Sequence, residues 1–106
     1  MRVALRVDDY AAATAVEVVD LALAAGLLEV PVDVFFRAAG LRHLLTEDPE
    51  LVGRWRTLLD FCPARLLVAA GEQQPWRDSA LAEQVTLLPE NEFEAQLQQC
   101  DHILQG

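Results

Sequence analysis

A short run of β-branched and aromatic residues, Val32-Asp33-Val34-Phe35-Phe36, follows Pro31 and leads on to Gly40. Val and Phe favour a pleated, packed surface. The run is too short for a buried helix and is apolar at both parities, which is the pattern of a strand buried on both faces. Two similar runs, Arg2–Val7 and Arg65–Ala70, flank it along the chain. A sheet of such strands must be covered on both sides, so the segments between them have to supply helices.

They do. Ala11 to Ala25 predicts a first helix that closes at Gly26, a residue suited to the left-handed position after a helix. Its polar residues are Thr14, Glu17 and Asp20, an arc of only about 120° on the helical wheel. Leu21 falls inside that arc, with Val18 and Ala25 at its margin. Either this is simply an Ala-rich helix, or a partner subunit buries a second side of it. Arg37 to Glu47 reads as a loop or short helical turn carrying Leu41, Leu44 and Leu45 at i, i+3, i+4. Asp48-Pro49 opens a second helix, an N-cap acid followed by Pro at the first helical position, and Pro63 ends it.

Beyond strand three, a polar loop runs from Gly71 to Trp76 and a short helix is expected over Asp78–Glu83. Val85–Leu88 is a fourth strand. Pro89 opens a last helix with Glu90, Glu92 and Glu94 near its start, where the macrodipole favours acids. Its inner face is Phe93, Leu97 and Cys100, and His102–Leu104 forms a final strand. This alternation predicts an α/β protein: a three-layer α/β/α sandwich around a five-stranded, mainly parallel sheet, with right-handed crossovers. At 106 residues the chain suits one domain, and 53% hydrophobic residues supply a core for it. Sites in such folds lie beyond the carboxyl ends of the strands. Those ends are Asp8-Asp9-Tyr10, Arg37–Gly40, Ala69-Ala70-Gly71 and Leu88-Pro89.

Charge and motifs narrow the chemistry. The net charge is −9, and all eight basic residues are Arg. An acidic chain repels phosphate backbones, so direct nucleic-acid binding is not expected. Without lysine there is no Schiff base and no P-loop lysine. The five glycines are isolated, so no phosphate-binding loop is formed, and no cofactor is expected. No C-x-x-C pair occurs, and Cys100-Asp101-His102 reads as a core thiol beside an edge-strand His rather than a metal site. Asp8-Asp9 resembles the acidic pair of a phosphoacceptor receiver domain. A receiver also needs an Asp after strand three and a Lys after strand five; Val68-Ala69-Ala70 and the lack of lysine exclude it. No apolar run approaches the roughly 20 residues that span a bilayer. The start, Met1–Val7, is too short and too interrupted by Arg for a signal peptide, which makes a cytoplasmic protein with reduced cysteines the expectation. Both cysteines fall at helix C-termini, where the dipole opposes a thiolate. Cys62, with Arg65 three residues on, is the weak candidate nucleophile.

Taken in order, these stretches resemble the DsrE/DsrF-like sulfur-relay family, and within it the DsrF/TusC branch. Val32–Phe36 with Gly40-Leu41-Arg42-His43-Leu44-Leu45 is similar to that branch's V-F-F-x-x-D-G-V-x-x-L segment. Arg65–Val68 falls where its third strand falls. Leu87-Leu88-Pro89, Phe93, Leu97 and Cys100–Leu104 follow its closing L-x-x-x-x-L-x-x-L-L-x-x-x-D-x-V-L pattern, so the similarity spans nearly the whole chain. The resemblance implies a subunit of a persulfide relay, in tRNA 2-thiouridine synthesis or sulfur oxidation. It would work in a hetero-oligomer with related DsrE/DsrH-like (TusD/TusB-like) subunits. The sulfur-carrying members have a Cys after strand three; here that place is Ala69-Ala70-Gly71, which fits the DsrF/TusC branch, generally not the carrier. Ala39 replaces the acid before the loop glycine, and the loop after strand one is shortened. The expectation is thus a non-catalytic sulfur-relay subunit whose interface is Val18, Leu21, Ala25, Leu41, Leu44 and Leu45. A self-associating or regulatory binding module, and a stand-alone sulfur carrier using Cys62, stay open beside it.

Overall fold

In the computed structural model, which describes all 106 residues, Val32–Phe36 is the middle strand of a five-stranded sheet. The strands are β1 (Val3–Val7), β2 (Val32–Phe36), β3 (Ala64–Ala69), β4 (Val85–Leu88) and β5 (His102–Gln105). Their spatial order is β4-β3-β2-β1-β5, and every pairing is parallel. All five residues of β2 are buried, Asp33 included. The α/β sandwich expected from the alternating pattern is therefore present.

Two helices, α1 (Ala15–Gly26) and α2 (Pro49–Phe61), cover one face. Their core joins Val18, Val19, Ala22, Val52, Trp55 and Leu58 to Leu5, Val7, Val34, Phe36, Leu66 and Val68 of the sheet. The other face carries only α3 (Glu90–Gln98), which seats Phe93 and Leu97 on Ala4, Phe35, Leu67 and Leu88. Phe35 and Phe93 meet edge to face, 5.2 Å between centroids.

α2 begins as its sequence dictates: the Asp48 carboxylate accepts the Glu50 N–H at 2.9 Å, and Pro49 occupies the first turn. α1 begins later than expected. Ala12–Thr14 form a separate 3₁₀ turn with no side-chain cap. Gly26 does not act as a left-handed cap either; the positive φ falls at Glu29 (60°). Gly26 is instead where α1 meets the end of α2: a Cβ there would lie 2.6 Å from Cys62 Sγ. The helix expected over Asp78–Glu83 is replaced by two 3₁₀ turns, Pro75–Asp78 and Ala82–Gln84, separated by Ser79 in an extended conformation. Pro75 starts the first turn early, and Trp76 and Leu81 then plug the core of the α1/α2 face.

Arg37–Glu47 does contain a short helical segment, a 3₁₀ run over Ala38–Leu45. It lies across the end of β1. The Gly40 N–H donates to Arg37 O (2.8 Å) and Asp8 O (3.1 Å), and a Cβ on Gly40 would sit 1.8 Å from the Val7 carbonyl oxygen. No side chain fits there, which is why this position is glycine.

Candidate functional site

β3 hands the chain to the α1/α2 face, and its neighbour β4 hands it to α3 on the opposite face. The chain thus leaves the carboxyl ends of these two strands toward opposite faces, and it is beyond such carboxyl ends that open parallel sheets place their sites. The tips are tied by the Ala70 N–H donating to Leu88 O at 2.8 Å. Ala69, Ala70 and Gly71 bring no nucleophile to these ends. Arg37 follows the end of β2, beside them in the sheet. The guanidinium stacks 5.6 Å above the Phe93 ring and pairs with Glu94 and, at 3.6 Å, with Glu90. Gly71 lies against Glu90, since a Cβ there would stand 3.4 Å from Glu90 Oε2. A cation and two acids that satisfy one another thus stand beside the tip of β3.

Beyond β1, Asp8 Oδ2 takes Arg6 at 3.2 Å and Gln105 Nε2 at 3.5 Å. His43 is buried, with the Tyr10 ring edge-on at 4.9 Å and Phe36 at 6.4 Å. Its Nε2 lies 3.1 Å from the Asp9 carbonyl oxygen, so the neutral ring donates from that nitrogen. Burial lowers its pKa, only partly offset by that bond. His43 is a neutral pin that fastens the loop after β1 to the 3₁₀ run. No three His, Cys, Asp or Glu side chains converge as a metal would require.

The two thiols lie at the other edge. Cys62 follows the last turn of α2, half-buried against Gly26 and the α1/α2 core. Arg65, its sequence neighbour, points through the opposite face and is held by Asp33 and Gln96, so it does not serve Cys62. Cys100 is buried beneath α3, its Sγ 3.4 Å from Gln96 O. Burial raises its pKa, and the Asp33 carboxylate raises it further.

The expected interface residues divide. Val18, Leu41 and Leu44 are buried in the chain's own core and are not available to a partner. Val18 is covered by the end of β5: a Cβ on Gly106 would touch it at 3.4 Å. Leu41 and Leu44 are the inner side of the 3₁₀ run. Ala25 is half-buried against the same core. Leu21 and Leu45 are exposed. The largest apolar exposures lie elsewhere, at Leu27 (77%), Leu28 (75%) and Phe61 (82%), where α1 and α2 end.

Sequence reasoning missed one cluster. Asp33 is fully buried, and Arg65 grips it with Nε on Oδ1 (2.9 Å) and Nη2 on Oδ2 (2.7 Å). Arg2 Nη1 reaches the same Oδ2 at 2.9 Å. These bonds raise the Arg65 pKa above its ordinary value. The sequence carries only part of the signal, an Asp and an Arg each near the start of an apolar strand; the register that pairs Asp33 with Arg65 comes from the sheet. No protein-family model matches this sequence, and no curated protein matches it.

Proposed function

We propose that this chain is a non-catalytic subunit of a persulfide-relay assembly of the DsrF/TusC kind. It would act in the cytoplasm alongside DsrE- and DsrH-like (TusD/TusB-like) subunits, in tRNA thiolation or sulfur oxidation. The observation that carries the reading is the tip of β3. A sulfur carrier of this kind would hold a thiolate at that tip, and here Ala69-Ala70-Gly71 stand beside an Arg–Glu pair instead. The remaining thiols are both remote from it, one of them with a raised pKa. Incubation with a persulfide donor, followed by intact-mass measurement, tests this. This chain should gain no mass while a co-purified carrier subunit gains about 32 Da, one sulfur. A gain on this chain that Cys62→Ser abolishes would establish the stand-alone carrier and overturn the reading.

A second reading, a self-associating or regulatory binding module, is favoured by the exposure of Leu27, Leu28 and Phe61 beside the Gly26–Cys62 contact. Light scattering of the purified chain separates the two. A stable homo-oligomer indifferent to relay subunits supports the module; a monomer that enters a larger complex with them supports the relay.

A further inference from the structure

We propose that Arg2 and Arg65, fixed by the buried Asp33 carboxylate, form a binding site for a small tetrahedral oxyanion of the phosphate or sulfate class. The site lies at the amino-terminal edge of the sheet, at the opposite end from the tip of β3. It is independent of the relay reading.

Its geometry is set from within. Asp33 Oδ2 accepts from both guanidinium groups, at 2.9 Å and 2.7 Å, so the two cations stand side by side. Gln96 Oε1 holds Arg65 Nη2 a second time at 2.8 Å. These bonds consume Nε and Nη2 of Arg65 and Nη1 of Arg2. Arg65 Nη1 and Arg2 Nη2 keep no protein partner, and both side chains are close to half exposed. Between them opens a cleft of about 270 Å³ lined by Arg2, Asp33, Arg65, Gln96 and Gln99, with no apolar residue among them. Unused guanidinium donors beside side-chain amides are the donor set that phosphate or sulfate oxygens require.

The charge balance agrees. Two guanidinium groups share one buried carboxylate, which leaves an excess positive charge facing the cleft. Asp101 is nearby, but its carboxylate accepts the Arg2 backbone N–H at 2.8 Å, and it does not line the cleft. The chain as a whole is acidic, with a net charge of −9, so a local excess of positive charge sets this cleft apart from the average surface. Because Asp33 holds both arginines in position before the anion arrives, little rotamer entropy remains to be lost.

The test titrates inorganic phosphate, and separately sulfate, into the full chain at constant ionic strength set with chloride, read by ¹H–¹⁵N NMR of backbone amides and Arg Nε–H groups. Saturable shifts confined to Arg2, Arg65, Gln96, Gln99 and their neighbours are expected. Arg2→Gln leaves Asp33 bidentate on Arg65 and should weaken binding roughly tenfold or more, the scale of one charged hydrogen-bond partner. Gln99→Glu, which places a repelling charge on the cleft without touching Asp33, should do the same if Arg2→Gln does not fold. Arg54→Gln, on the outer side of α2 with Asp20 and Glu50, should bind as the parent does. Non-saturating shifts, shifts centred elsewhere, or affinity unchanged in the cleft variants would overturn the site.

Discussion

At the scale of single residues, two positions govern how the segment after β2 is held. Gly40 has no room for a side chain, because the Val7 carbonyl oxygen occupies the place of its Cβ at 1.8 Å. Gly40→Ala must push the 3₁₀ run off the end of β1 and break the bonds from Gly40 N–H to Arg37 O and Asp8 O. A loss of roughly 3 kcal/mol is expected, at the upper end of ordinary point mutations, measured as the urea midpoint at unchanged m-value. His43 holds the same segment from its other side. Burial keeps its folded pKa below the ordinary 6.5, so below that pH the unfolded chain binds this proton more readily than the folded one. The contribution is whole above 6.5 and is lost as pH falls through 6.5 toward the folded value. Melting temperature should therefore drop between about pH 7.5 and about pH 5.5, and His43→Gln should flatten that part of the slope. An identical slope in the variant would show that His43 does not carry the pH dependence.

At the scale of elements, what was legible depended on whether the cause was local. α2 was legible at its start because an N-cap acid and a following Pro act within one turn, and β2 because its apolar run needs no distant information. α1 was ambiguous on its flank. Its narrow polar arc left two readings, an Ala-rich helix or a partner over Val18, and only the sheet shows that Gly106, just after β5, comes up beside Val18. Gly26 shows the same limit, since the reason for a glycine is the end of α2 and not the helix's own termination. Gly53 supplies the contrast: it sits mid-α2 on the solvent side, and an added Cβ would meet nothing within 4 Å. Gly53→Ala should stabilise the chain by about 0.5–1 kcal/mol through helix propensity alone, seen as a higher urea midpoint. If it destabilised instead, the outer side of α2 would have to be covered in solution.

At the scale of the whole molecule, the sheet is graded from centre to edge, and the candidate site follows from that gradient. The order of elements was enough to name the carboxyl ends of the strands as the place for a site, but not to show that Arg37 crosses from the end of β2 toward α3. That crossing depends on α3 setting Glu90, Phe93 and Glu94 over the opposite face. The Asp33 cluster was hidden for a related reason: an acid in an apolar strand makes sense only once its partner strand and register are known. The same gradient makes a prediction about assembly. β2 is paired on both sides and buried throughout, whereas β5 pairs only with β1 and is largely exposed. In the isolated chain, β2 amides should exchange only through global unfolding, while outward amides of β5 exchange by local opening, at least roughly a hundredfold faster. An open parallel edge invites another strand. If β5 is instead as protected as β2, and loses that protection on dilution, the edge is paired with a second copy of the chain. Protection that appears only when relay subunits are added places them on β5, and gives the hetero-oligomeric reading a surface on which to be tested residue by residue.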